Sequence, residues 1–490
     1  MSVINNRKIK IGVFGAHRGS TMINFCLHFP DTELVALCDR YEPALEDWKK
    51  RIGELRKETP DLPEPALYTR FDDFIKHDMD AVVLANYAHE HAPFAVRALN
   101  AGKHVISEVL PAHTLAQAVE LAETVERTGL VYAYAENYCY FRTTTEMRRL
   151  YRAGELGEFE YGEGEYVHNC IPNWPNLTYG DPNHWRNIMF ATFYCTHSLG
   201  PLVHITGLRP VRVNGFERPV PKRCLEVGKL NVGGIELVEF ENGATVKSLH
   251  GGMIREPSSV WYTVYGTKGM AESDRWDSGN QKLYVYRQSE NRRDDYIPEQ
   301  KTDSSLTDKI TGHGGSDFYT MYYFIRKIQG REEGNESIGV YEALDMYLPG
   351  LIAYKSIMNG GYPGSPSEVR ARQIPFRYLR HRPGLLRFNA CPLLSQGHPG
   401  RKQRSVRPCQ TALDRRRLEV TADNNAGTAL TDCRSGSARI FTESKPFGGI
   451  NERNRKLELQ TVSSRTLRRE RHIYLPDRAG SRPHRSRMAV

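Results

Sequence analysis

None of the 490 residues belongs to an apolar run long enough to cross a bilayer; stretches such as Ala81–Ala85 fall far short of the roughly 20 residues a spanning helix needs. The opening MSVINNRKIKIGVFG has neither the apolar core nor the small-residue cleavage site of a signal peptide. Nine cysteines are scattered singly, with no CxxC and no Cys/His spacing, which argues against a zinc site and against a disulfide framework. A reduced, cytoplasmic chain without a metal and without a membrane segment is the expectation. Internal repeats are also absent.

What is present is enough apolar residue, 39% against 26% charged, to bury a sizeable core in two or three domains. The net charge of +9 is unevenly spread. Residues 371–490 hold 26 Lys+Arg against 9 Asp+Glu, leaving 41 against 49 for the rest. An acidic body therefore carries a basic tail. That tail has 23 Arg but only 3 Lys, few aromatics, and no sustained period of two or 3.6. It reads as a disordered extension or an out-of-frame stretch, and the lack of interleaved aromatics argues against a nucleic-acid module.

Residues 8–135 alternate short apolar runs (9–14, 34–38, 81–85, 104–107, 131–135) with amphipathic stretches at 43–57, 91–100 and 115–128. This rhythm predicts a Rossmann-type doubly wound parallel sheet over 1–137, since parallel strands are buried on both faces. From about residue 157 the strands lengthen and become half-polar (158–168, 211–217, 234–240, 244–249, 260–265, 282–286), with turn signals at 241–243 and 266–269. An α/β domain with an open, mostly antiparallel sheet is predicted over 138–368, closed by helices at 317–328 and 340–358. The polar stretch 287–315 is expected to be loop, and 369–490 to form the tail.

After the first strand comes Gly12-Val-Phe-Gly15-Ala16-His17-Arg18-Gly19-Ser20, leading into a helical pattern. Glycines there let backbone N–H groups approach a pyrophosphate at a helix N-terminus. The spacing falls one residue short of the full G-x-G-x-x-G motif. Asp39 follows 20 residues after Gly19, at the end of the second strand, where a carboxylate accepts bonds from the ribose hydroxyls and repels a 2′-phosphate. Arg40 beside it would pair with that phosphate or stack on adenine. The balance favours NAD over NADP, with Asn86, His89, His91 and Glu108 completing the expected cofactor set.

Taken in order, KIGVFGAHRGS at 10–20, LVALCDR at 34–40, DAVVLAN at 80–86, HAPFAVRALNAGKHVISEVLPAHT at 91–114, GELGEFEYGEGEY at 154–166 and GTKGM at 266–270 resemble the Gfo/Idh/MocA superfamily over about 8–365. The resemblance implies a Rossmann domain followed by an α/β domain whose open sheet supports a sugar site and often an oligomer interface. Two departures stand out. The Glu-Lys-Pro of most dehydrogenases in the family is Glu108-Val109-Leu110-Pro111 here, and their Asp-x-x-x-His is Phe193-x-x-x-His197. Tyr194-Cys-Thr-His197-Ser-Leu-Gly-Pro201, Ala-Glu136-Asn-Tyr-Cys-Tyr140, Glu-Tyr166-Val-His168 and Gly312-His-Gly-Gly-Ser-Asp317 are instead similar to the NAD-dependent exo-glycosidases of the superfamily. That branch implies a redox-neutral route: hydride leaves C3 of the sugar, the C2 proton is removed, the C1 substituent departs, water adds, and hydride returns.

Such a route needs proton-transfer groups at several ring positions. Tyr194 and His197 are three residues apart before a helical run, so one turn presents both to the same place. Glu136 is expected at the cleft beyond the strand ends. Tyr166 and His168 share one face of a strand, either the site or a polar sheet surface. Within Asn183-His184-Trp185-Arg186, Trp185 would stack on a sugar ring and Arg186 grip a hydroxyl or carboxylate, the core being the alternative for the tryptophan. Glu108 would position the nicotinamide or a substrate hydroxyl, Asp317 would cap its helix, and His204 would be structural. The expected function is hydride transfer at a ring hydroxyl of a small carbohydrate by an NAD-binding oxidoreductase, with or without glycoside cleavage. A non-catalytic nucleotide sensor of the same fold is the alternative, and the open sheet leaves room for a homo-oligomer.

Overall fold

The structure is a computed structural model that describes residues 7–218, 220–229, 231–277, 279–299 and 312–360. The basic segment at 369–490 lies outside the described residues, as do positions 300–311 of the stretch expected to be loop.

Six strands, β1 (Ile9–Phe14), β2 (Thr32–Cys38), β3 (Ala66–Tyr68), β4 (Ala81–Leu84), β5 (His104–Ser107) and β6 (Tyr132–Tyr134), form the first sheet in the order β3-β2-β1-β4-β5-β6. Every pair is parallel. Ile9, Ile11, Val13 and all of Ala81–Leu84 are fully buried because helices cover both faces, and each large aliphatic side chain so buried contributes about 1.5–3 kcal/mol. The helix Glu42–Glu58 shows why: Ala44, Leu45, Trp48 and Ile52 recur at helical spacing and form its buried stripe. Winding reverses between β1 and β4, so the loops leaving these neighbours diverge and open a crevice at their carboxyl ends.

The second sheet has eight strands in the order β14-β13-β12-β11-β7-β10-β9-β8. They are β7 (Phe159–Val167), β8 (Pro210–Glu217), β9 (Gly233–Phe240), β10 (Thr245–Gly251), β11 (Ser259–Gly266), β12 (Gly269–Ser273), β13 (Leu283–Arg287) and β14 (Arg292–Tyr296). All pairs are antiparallel except β7 with β10. Two expectations are corrected. The stretch taken as loop contains β14, whose RRDDY carries no apolar alternation because it is an edge strand paired only with β13. Strands β3 and β12, three and five residues long, are additions to the expected set.

One face of this sheet carries the helix Cys195–Thr206, in which every residue but the last is buried. It packs between the sheet and the helix Val340–Met358, which is tied to the residue before β8 by a bidentate Arg209–Asp345 pair at 2.9 Å. His204 and Glu342 add a 2.6 Å bond between the two helices, the structural role expected for His204. The last helices also return to the first sheet. Phe318 and Tyr322 of the helix Ser316–Ile328 pack on Phe25 and Phe29, Arg326 pairs with Asp31 at 2.5 Å, and the Tyr134 N–H donates to the Ile338 carbonyl at 2.9 Å. No described helix is long and apolar enough to cross a membrane.

Contact between β7 and the helix Cys195–Thr206 depends on Gly164, where an added Cβ would lie 1.7 Å from the Ser198 carbonyl oxygen. Gly164→Ala must push the helix off the sheet. A loss of about 2–3 kcal/mol is expected, read as a lower melting temperature; an unchanged melt would contradict this packing.

Candidate active site

The turn after β1 follows the crevice. Gly15 adopts φ +100, in the left-handed region, and an added Cβ would meet the Ala85 carbonyl at 2.3 Å, so the chain can pass β4 only as glycine. The Ala16 carbonyl accepts from Trp48 Nε1 at 2.9 Å, and the Gly19 N–H donates to the Gly15 carbonyl at 2.8 Å, fixing the turn into the helix Ser20–His28. Asp39 accepts from the backbone N–H of Tyr41 (2.9 Å) and of His17 (3.3 Å), holding its carboxylate against the loop. Arg40 is exposed and faces Glu90 at 3.5 Å.

A cavity of about 600 Å³ runs along this edge. Gly15, His17, Arg18, Ser20, Asp39, Arg40 and Asn86 line one wall, and the segment 173–186 of the second domain lines the other with Tyr179, His184, Trp185 and Arg186. Asn86 Oδ1 and His89 Nδ1 are buried without a hydrogen-bond partner. Of these, Asn86 lines the cavity while His89 does not; an orphaned polar atom beside a glycine turn, a helix N-terminus and a carboxylate is what a dinucleotide would satisfy, so the residues fit NAD. His91, expected in this set, lies beneath it: its ring nitrogens face the carbonyls of Leu110 (3.0 Å) and Asn86 (3.1 Å), and burial pushes its pKa down to about 4. It holds the loops together and does not face the cavity.

At one end of the cavity Arg18 pairs with the buried Glu108 at 2.8 Å. Burial raises the Glu108 pKa, against the pull of Arg18. Around this pair stand Glu136, from the turn after β6, and residues of the second domain. Glu136, fully buried, accepts from His197 Nδ1 (2.8 Å), Thr196 Oγ1 (2.8 Å) and the Tyr138 N–H (3.3 Å). Tyr194 stacks on His197 with ring centroids 5.1 Å apart, and its hydroxyl accepts from Arg186 Nη1 at 2.8 Å. Tyr166 lies 4.9 Å from the His197 ring and 5.8 Å from Tyr194. Burial pushes the Tyr166 phenol well up.

Both domains match known family descriptions: "Oxidoreductase family, NAD-binding Rossmann fold" over residues 9–136 and "Oxidoreductase family, C-terminal alpha/beta domain" over 148–343. The chain belongs to the Gfo/Idh/MocA oxidoreductase family. Among curated relatives, an alpha-N-acetylgalactosaminidase of Tannerella forsythia is 26% identical, covering 72% of this chain and 84% of that protein. Two solved structures share the fold: aldose-aldose oxidoreductase of Caulobacter crescentus complexed with glycerol and an inositol dehydrogenase homolog of Azotobacter vinelandii complexed with NADH and myo-inositol. The first has 20% identity and TM-score 0.56, covering 72% of this chain and 98% of its own. The second has 16% identity and TM-score 0.57, covering 73% and 97%.

Two substrate expectations change on this frame. Trp185 is buried and its face is taken by the Arg186 guanidinium, 4.4 Å from the ring centroid, so it carries the arginine and offers no bare stacking face. His168 is exposed at the end of β7, its Nδ1 3.2 Å from Ser258 Oγ and its ring 6.2 Å from Tyr166, at the rim of the site. Asp317 is not the helix cap. It sits in the first turn and takes Asn137 Nδ2 at 2.6 Å and His313 Nδ1 at 3.0 Å. Asn137, Tyr138, Thr196 and His313 carry no expected role, although all four lie inside the segments similar to the exo-glycosidases. Among the described residues no cluster of His, Cys, Asp and Glu is arranged to hold a metal ion.

The His313–Asp317 pair has a pH signature. Burial works against the imidazolium, but the Asp317 bond and charge outweigh it and raise the His313 pKa; Asp317 is lowered in turn. A raised histidine contributes stability that is full below its unfolded value of about 6.5 and lost as pH rises through the folded value. A lowered aspartate contributes above about 3.9 and loses it as pH falls. The melting temperature of the wild type relative to His313→Gln should therefore be highest between about pH 4 and 6.5 and narrow above that range; a gap widening with pH would contradict the pairing.

Proposed function

We propose that this protein is an NAD-dependent enzyme that cleaves a glycoside without net redox change. The observation that carries the proposal is the meeting of the Glu136–His197 dyad with Tyr194 and Arg186 beside the Arg18–Glu108 end of the dinucleotide cavity. Gly15, Ser20, Asp39 and Asn86 would hold the dinucleotide. Bound NAD would supply a two-electron acceptor that takes a hydride from a ring carbon and gives it back.

His197 takes the proton of the C3 hydroxyl, its other nitrogen being oriented by Glu136, as the carboxylate of a hydrolytic triad orients its base. The C3 ketone acidifies the proton on C2. Tyr194 removes it, and the Arg186 guanidinium 2.8 Å away stabilises the negative charge its oxygen carries in that transition state. Tyr166 donates to a sugar oxygen. Glu108, neutralised by Arg18, would position the reacting hydroxyl. Among the described residues no lysine is bonded or paired to Glu108, Glu136, Tyr194 or His197, the feature that separates this site from the Glu-Lys-Pro pattern of ordinary sugar dehydrogenases.

A small carbohydrate is the substrate class, and the likeness to an alpha-N-acetylgalactosaminidase makes that glycoside the first to try. NAD is preferred over NADP because Asp39 would repel a 2′-phosphate and Arg40 already faces Glu90. The six described cysteines are free thiols, in keeping with a reducing cytoplasm. The eight-stranded sheet would serve a homo-oligomer.

The test is a panel of 4-nitrophenyl hexosides and N-acetylhexosaminides incubated with NAD⁺ in D₂O. Aglycone release, deuterium at C2 of the product, and no net NADH are expected; steady NADH without cleavage would refute the proposal. His197→Ala and Tyr194→Phe should each lower kcat by about 10²–10⁴, with Tyr194→Phe also abolishing deuterium uptake at C2.

A further inference from the structure

A second cavity, of about 260 Å³, shares no wall residue with the dinucleotide cavity. It opens beside the helix Arg142–Arg152, whose Arg148 and Arg152 stand one turn apart on the same face, with Arg149 next to them. The wall opposite is formed by residues from distant parts of the chain, among them Glu336 and Tyr323.

Donors outnumber acceptors here. Arg148 is buried, and it shares one carboxylate with Arg152: its Nη1 donates to Glu336 Oε2, and Arg152 Nη1 donates to Oε1 at 3.1 Å. The Glu336 carbonyl is also taken, by the Tyr140 hydroxyl at 2.9 Å. Arg149 is committed to Glu146 and Glu155. Glu342 lies near enough to feel Arg148 and Arg152, but its bond goes to His204 at 2.6 Å. Nε of Arg148 is left buried without a partner, and among the described residues nothing accepts from Nη2 of Arg148 or from Nε and Nη2 of Arg152. Buried donors are ordinarily satisfied, and a guanidinium fork matches the paired oxygens of a phosphate or carboxylate.

From this excess of guanidinium donors around a small cavity we propose a second binding site, for a metabolite carrying a phosphoryl or carboxylate group. Size limits the occupant. The cavity is less than half the 600 Å³ of the first and lies below the roughly 300–1,000 Å³ of drug-sized pockets, which suits a monosaccharide acid or phosphate and excludes a dinucleotide. Tyr140 and Tyr323, with ring centroids 5.2 Å apart, supply an aromatic wall for its carbon skeleton.

The chain ties this cavity to the Glu136–His197 dyad. Cys139 and Tyr140 of its wall end the turn that Glu136 begins, and His204 lies two turns after His197 on the same helix. Tyr138, inside that turn, packs on His197 with centroids 4.6 Å apart. An occupant therefore braces the two elements that carry the dyad. The inference holds whatever reaction the dyad performs.

The test is isothermal titration of the full chain, in the presence of NAD⁺, with inorganic phosphate, glucose 6-phosphate and glucuronate, against chloride at equal ionic strength. A saturable equivalent that also raises the melting temperature is expected. Arg152→Gln removes a half-exposed side chain and should weaken that binding about 10-fold or more, while the glycine turn and the basic segment at 369–490 are the same in both proteins. Thr145→Trp, at an exposed wall position, should block the cavity without removing any arginine. Binding of the phosphates alone assigns a phosphoryl ligand, and binding of glucuronate alone assigns a carboxylate. No saturable binding by the wild type, or binding equally strong in both variants, overturns the site.

Discussion

A single buried carboxylate organises this site. Glu136 is removed from water at the foot of the helix Cys195–Thr206, where a bare charge would be costly. It is kept there by three donors, Thr196 Oγ1, His197 Nδ1 and the Tyr138 N–H, and by the positive end of that helix. Thr196 is in turn bonded to the Tyr134 hydroxyl at 2.9 Å, so the last strand of the first sheet, the turn after it, and the principal helix of the second domain converge on one group. Any change in the packing of that helix alters where His197 points. The close approach of Gly164 to Ser198 and the 2.6 Å bond from the Tyr262 hydroxyl to the His197 carbonyl set this position from the sheet side.

The same turn explains why the two halves work as one site. A Rossmann sheet presents its ligand edge at the carboxyl ends of its strands, and β6 delivers Glu136 and Asn137 to that edge. The second domain supplies Tyr166 from β7, Arg186 from the segment at 173–186, and Tyr194 and His197 from the start of the helix Cys195–Thr206. Arg186 is the clearest instance: it lies on Trp185 and donates to Tyr194, so one cation orders both the segment at 173–186 that lines the cavity and the phenol proposed as base.

Much of this was legible in the sequence because it follows from periodicity and local chemistry. The parallel strands show as short apolar runs, since both their faces are covered; the helix at Val340–Met358 shows at its full length. The glycine turn, Asp39 and the Tyr194/His197 pair are short-range patterns with a physical reason at each position. What escaped was decided by distant contacts. β14 has no apolar alternation because it is an edge, Asp317 looked like a cap because its partners lie at 137 and 313, and Trp185 looked like a sugar platform because nothing local says that Arg186 folds back over it. His91 has the residue type of a ligand contact, and only burial between two carbonyls reveals its different duty.

The count of proton-transfer groups bears on the chemistry. Oxidation of a hydroxyl needs one base, and a dehydrogenase can stop there. Elimination and addition at C1 need three exchanges: at the C3 oxygen, at C2, and at the C1 oxygen. Here His197 and Tyr194 stand around Tyr138 and Tyr166, and His197 is held by a carboxylate that is itself buried and bonded. Ordering an imidazole this way demands a paired carboxylate in a low-dielectric setting, which proteins keep only where burial and partners are matched. The structural cost of this buried dyad, set beside a phenol that Arg186 orders, is consistent with proton transfer at more than one ring position.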